Sequence, residues 1–256
     1  MIMRFRFFPA ILFLAAVSAI ADPLDDMSVV KGESVCGWHD TPSAEYTVSS
    51  DDTEFALPDT AGQKVISADK KENSVEVRIV CAERDTGEGS GGEKYTARTR
   101  FLDTENIEVR LFASKIIGSK HPVHAAENEV NGAITDKNQG IPLIPVDEVL
   151  RVRSGDCTEH TVLLCSILRA AGIPSRAVVG LVFVPEWQGK KDVFVFHMWA
   201  EAYIKGKWII ADASFPKKKS YVRYIALSYH SLKTAMPLDY LAAVSHVKNL
   251  RILRVR

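Results

Sequence analysis

The chain of 256 residues carries 32 Lys+Arg and 32 Asp+Glu, with 46% hydrophobic and 25% charged residues. That is the balance of a globular protein, not of a disordered, collagen-like or disulfide-dense one. With no basic excess, nucleic acid and anionic lipid are poor partners for it.

Residues 1–21 begin with Arg4 and Arg6, continue with an apolar run over 7–17, and end with small Ala19 and Ala21 ahead of Asp22. This is the pattern of a signal peptide cut after Ala21. The run is short for a membrane span and contains Pro9, so the expectation is a secreted or periplasmic protein with no membrane attachment after cleavage. Cleavage removes two cations and no acid, leaving 30 basic against 32 acidic residues.

Residues 22–103 read as β-rich. Short alternating or β-branched runs at 44–48, 64–68, 74–81 and 94–101 are broken by Gly, Pro, Asp and Ser clusters. The segment 83–94, rich in Gly and Glu, reads as a hairpin loop between the last two runs. Export permits disulfides, and Cys36 and Cys81 are the candidate pair, with two separately buried thiols as the alternative. From 104 the period becomes helical. Ile107, Val109, Leu111, Phe112, Ala113 and Ile116 predict a helix that stops at Gly118, with Asp103 or Thr104 as its cap. A second helix over 122–134 starts at Pro122, and a brief helical turn covers 146–152.

The chemistry concentrates in 153–216. Asp156 and Glu159 are spaced as a capping box, opening a helix that carries Val162, Leu163, Leu164, Ile167, Leu168 and Ala171 and closes at Gly172. Cys157 is then the first helical residue, where backbone N–H groups and the helix dipole favour a charged nucleophile. The neighbouring Asp156 carboxylate opposes this, so a cationic partner is needed. Cys165, eight residues on, lies about 12 Å along the helix, too far to bridge to Cys157.

A hairpin supplies the partner. Residues 194–204 alternate, with His197, Trp199 and Glu201 on one face, and Lys205-Gly206 reads as a two-residue turn before a returning strand over 207–213. In that register Trp199 falls opposite Asp212, and His197 is the diagonal neighbour of Asp212 on the same face, within side-chain reach. A carboxylate so placed can orient the imidazole and stabilise its charged form. Nucleophile, base and orienting acid are then Cys157, His197 and Asp212.

These residues sit in blocks that resemble the transglutaminase-like superfamily, whose core is similar to papain-like peptidases. The blocks are Gly155-Asp156-Cys157-Thr158-Glu159-His160, Gly172-Ile173-Pro174-Ser175-Arg176, Phe196-His197-Met198-Trp199-Ala200-Glu201, and Gly206-Lys207-Trp208 leading to Asp212. The resemblance implies the same roles for Cys157, His197 and Asp212. Where animal transglutaminases carry Gln before the Cys and Trp after it, this chain has Asp156 and Thr158, as bacterial relatives do.

Other residues carry weaker expectations. Trp199 could wall a substrate cleft or simply fill the core, and His160, on the Cys157 face of its helix, could contact substrate or pack. Cys165 reads as core, and Glu201 as a structural hydrogen-bonding or ion-pair residue. Zinc on Cys157, His160, Cys165 and His197 lacks a second matching ligand pair, so neither metal nor cofactor is expected. Lys205, Lys207, Lys217, Lys218, Lys219 and Arg223 read as a solvated basic face.

The expected fold is α+β, with the Cys157 helix on an antiparallel sheet of 176–184, 194–204 and 207–213. A β-rich region (22–103) precedes this catalytic domain (104–256), which ends in a helical tail. The expected function is exported acyl transfer at amide bonds of a peptide or protein substrate, releasing the acyl group to water or to an amine. A binding or assembly module that merely keeps the fold is the alternative.

Overall fold

The computed structural model describes residues 41–82, 91–137, 143–187, 189–216, 220–233 and 245–255. Residues 1–21, read as a signal peptide, Cys36, most of the Gly-rich loop and Lys217 to Lys219 lie outside them.

The N-terminal strands β1 (Ser43–Ser50), β2 (Gln63–Lys71) and β3 (Ser74–Ala82) form an antiparallel sheet of order β2-β3-β1-β8, closed by the C-terminal strand β8 (Arg251–Arg254). Between β3 and the second sheet the described residues form the helices α1 (Ile107–Ile116), α2 (Pro122–Ala133), α3 (Val146–Val152) and α4 (Cys157–Ala170). A second antiparallel sheet, of order β6-β5-β4-β7, is built from β4 (Ser175–Trp187), β5 (Lys190–Ile204), β6 (Lys207–Ala211) and β7 (Tyr224–His230).

A sequence expectation fails here. The alternation over 94–101 makes no strand: Glu93–Tyr95 is a single 3-10 turn. Tyr95 leaves to pack edge-on against Trp208 at 5.0 Å, and the Ala97 carbonyl is taken by the Arg169 guanidinium at 2.7 Å. Tertiary partners override a short local pattern. The expected helical tail falls largely on 234–244, outside the described residues, and beyond it β8 pairs with β1 of the N-terminal sheet. The boundary at 103/104 therefore does not divide the sheets.

Helix α4 is buried on nearly every side, as expected of a helix apolar all round. Helices α1, α2 and α3 surround it, and it rests on the small residues Ala177, Ala200 and Ala202 with Val179 and Met198. At its far end Gly172 takes φ +76, and the Ile173 N–H returns to the Leu168 carbonyl at 2.8 Å, a glycine-terminated helix end. Helix α1 is capped by Asn106, not Asp103 or Thr104. The Asn106 Oδ1 accepts from the N–H groups of Glu108 and Val109.

Beyond the reach of α4, the same face of β4 and β5 continues as Leu181, Phe183 and Phe194. There it meets Tyr46, Val48, Val75, Val77 and Ile79 of the N-terminal sheet. One long face thus serves two layers, helical at one end and β at the other.

Candidate active site

The capping box forms as expected. Glu159 Oε2 accepts from the Asp156 N–H at 3.0 Å, and Asp156 Oδ1 accepts from the Thr158 N–H at 2.9 Å. Gly155 is required beside it, because a Cβ there would lie 2.4 Å from Glu159 Cβ. Cys157 therefore opens α4 at a half-buried position, its thiol free.

The hairpin also forms in the expected register. Ala200 pairs with Ala211 and Tyr203 with Trp208, and Lys205 and Gly206 both adopt positive φ (51 and 83). The ladder ends at Ala200 and Ala211, which releases Asp212 from strand pairing. Its carboxylate turns back to His197, with His197 Nε2 2.8 Å from Asp212 Oδ2. Nε2–H donates to the carboxylate, and Nδ1 is the nitrogen left for Cys157. The Cys157 side chain lies within hydrogen-bonding reach of this imidazole. Burial disfavours a charged ring, but the Asp212 carboxylate and Cys157 outweigh it and hold His197 well above the usual histidine range. Burial likewise works against the Asp212 charge, and His197 with the surrounding donors reverses this, so Asp212 is held low.

Asp212 is held by partners that the sequence did not reveal. Tyr224 donates its hydroxyl to Oδ2 at 2.9 Å, and the Ser214 N–H donates to Oδ1 at 2.9 Å. From α2, Glu127 Oε1 accepts the Asp212 backbone N–H at 2.8 Å. Glu127 has one legible signal: with Val123, Ala126 and Val130 it lies on the buried stripe of α2, where an acid needs a partner. Nothing local marks Tyr224.

Trp199 is fully buried. It stacks 6.1 Å from the His197 ring and packs edge-on against Tyr224 at 5.0 Å, beneath the imidazole rather than on an open wall. Room for its indole comes from Gly180, where a Cβ would fall 2.7 Å from the ring and 2.2 Å from the Ile225 carbonyl oxygen. His160 is also buried. Its Nδ1–H donates to the Asp156 carbonyl at 2.6 Å, and its Nε2 accepts from Lys137 Nζ at 2.6 Å. Burial first, and Lys137 in addition, push its pKa down to about 4 against the pull of the Asp156 carbonyl, so the ring is neutral. Cys165 packs in the apolar core, its thiol pushed up by burial to about 11. Glu201 binds Arg176, whose guanidinium lies between the rings of Trp208 and Tyr229. Arg223, grouped by sequence with the basic face, instead donates twice to the Phe183 carbonyl.

Residues 119–213 match the transglutaminase-like superfamily. No curated protein matches the chain in sequence. Among solved structures, the fold is similar to that of a proposed cysteine protease from Cytophaga hutchinsonii, at TM-score 0.54 and 16% identity, covering 82% of this chain and 85% of that one. It is also similar to the periplasmic domain of TgpA from Pseudomonas aeruginosa, at TM-score 0.50 and 18% identity, covering 69% of this chain and 71% of that one. At such identities the likeness is one of fold.

Proposed function

We propose, from the match of residues 119–213 to the transglutaminase-like superfamily, that this chain is an exported cysteine-dependent enzyme of acyl transfer at amide bonds of peptides or proteins. The observation that carries the reading is His197, buried between Asp212 on one side and Cys157 on the other. His197 takes the thiol proton, and Cys157 Sγ attacks the amide carbonyl. The imidazolium then gives its proton to the leaving amine as the thioester forms. The backbone N–H of Cys157, in the first turn of α4, helps hold the developing oxyanion. Water, activated by His197, resolves the thioester in a peptidase or amidase, and a primary amine resolves it in a transglutaminase. Hydrolysis is the proposed outcome, because solvent is the commoner acceptor unless a site excludes it.

Export rests on the basic-apolar-small order of residues 1–21. Among the described residues no helix is long and apolar enough to cross a membrane. The TgpA domain of similar fold is periplasmic.

The reading is tested by incubating the protein with a peptide library and a labelled primary amine, then trapping the intermediate in acid and identifying the modified residue by mass. A thioester on Cys157 with hydrolysed peptides is expected. Amine incorporation would move the activity to transamidation, and an unmodified Cys157 across the library would remove the acyl-transfer reading.

A further inference from the structure

We propose that α2 is a two-point clamp on the turn that presents the triad acid, with Glu127 and Asn131 as positioning residues. The inference rests on the proposed role of Asp212, and its test includes a readout that does not require activity.

Asp212 is the first residue beyond the last β5–β6 pair, so its N–H has no ladder partner. A buried N–H in that state carries a cost, and a turn without anchoring can rotate its side chain away. Glu127 and Asn131 are four residues apart on one face of α2. Glu127, with 0% exposure, accepts the Asp212 N–H at 2.8 Å. Asn131 Nδ2 donates to the Ala213 carbonyl at 2.8 Å. The two side chains thus hold the N–H on one side of the turn and the C=O on the other. Inside the turn, the Ser214 and Phe215 N–H groups bond Asp212 Oδ1, leaving Oδ2 to face His197 and Tyr224. The helix fixes the peptide, the peptide fixes the carboxylate, and the carboxylate fixes the imidazole. Glu127 also connects to the surface, where His124 Nδ1 lies 3.4 Å from its Oε2.

The test compares Glu127→Ala, Glu127→Gln and Asn131→Ala with the parent and with Asp212→Asn. It reads the His197 titration by imidazole NMR, the kcat and KM on the best library peptide, and the thermal midpoint. Glu127→Gln keeps an acceptor oxygen and is expected to keep the parent titration and kcat. Glu127→Ala and Asn131→Ala are expected to move the His197 titration downward, part of the way to Asp212→Asn, and to lower kcat about 3- to 30-fold with KM little changed. Should Glu127→Ala fail to fold, Asn131→Ala, at a half-buried position, decides the matter. Folded variants with the parent titration would overturn the clamp. Clamp variants that shift the titration in a protein that turns over no substrate would uphold the clamp and remove the enzymatic reading.

Discussion

At the scale of single residues, the pair His197 and Asp212 sets the pH behaviour. Asp212 stabilises the imidazolium, so removing its charge lowers the His197 pKa. If the working form is a thiolate facing an imidazolium, Asp212→Asn moves the alkaline limb of kcat/KM to lower pH and reduces its plateau by about 10- to 1,000-fold. A pH–rate profile of the variant that keeps its alkaline limb in place would contradict this. Glu159 gives a second prediction, in stability. Burial first, then the Asp156 charge, push its carboxyl from 4.5 up to about 8, and its Oε1 is buried without a hydrogen-bond partner. The folded protein retains a proton that the unfolded chain releases above about pH 4.5. Stability from this group is therefore full below that value and is lost as pH rises toward 8. Glu159→Gln keeps the acceptor for the Asp156 N–H and removes the titration. Urea unfolding between pH 5 and 8 should show a decline on the order of a few kcal/mol in the parent that flattens in the variant. The placement of Cys157, His197 and Asp212 was legible because two local rules, helix capping and hairpin register, determine where they fall. The contacts of Glu127 and Tyr224 to Asp212 were not, because they depend on packing between elements, over 85 and 12 residues of sequence.

At the scale of elements, β4 shows how a neighbouring strand supports the site. Gly180 sits opposite His197 in β5 and beside Ala226 in β7, at a register shift. Its missing side chain lets the Trp199 indole lie against the strand beneath the imidazole. Gly180→Ala is expected to cost about 1–3 kcal/mol, as other forced overpacking does. It should also lower activity by displacing Trp199 under His197. Urea denaturation and kcat measured together check this, and unchanged values in both would show that the ring has room to move. The strand periods of β1, β3 and β5 were readable because each alternates over most of its length. The strand expected over 94–101 had alternation without a partner, whereas β8, four residues long, exists through its pairing with β1.

At the scale of the molecule, the two sheets are joined by more than apolar contact. Gln63, buried at the start of β2, donates Nε2–H to the Ala226 carbonyl at 2.9 Å and accepts the Ala226 N–H at 2.7 Å. One amide side chain thereby acts as a further strand residue along β7. Gln63→Ala leaves both groups of Ala226 unpaired in a buried interface and should destabilise the whole chain by about 2–4 kcal/mol, with one cooperative transition retained. Two separate transitions on denaturation would show instead that the sheets fold independently. This docking was not visible beforehand, since a glutamine at the start of a polar strand carries no local signal of a partner 163 residues away.

The central claim, that His197 and Asp212 activate Cys157, is tested most directly by the rate of iodoacetamide alkylation at pH 6, with the modified residue identified by mass. The account predicts rapid labelling of Cys157 over buried Cys165, and a loss of about 10-fold or more in His197→Ala. Slow labelling of Cys157 in the parent, unchanged by His197→Ala, would contradict it.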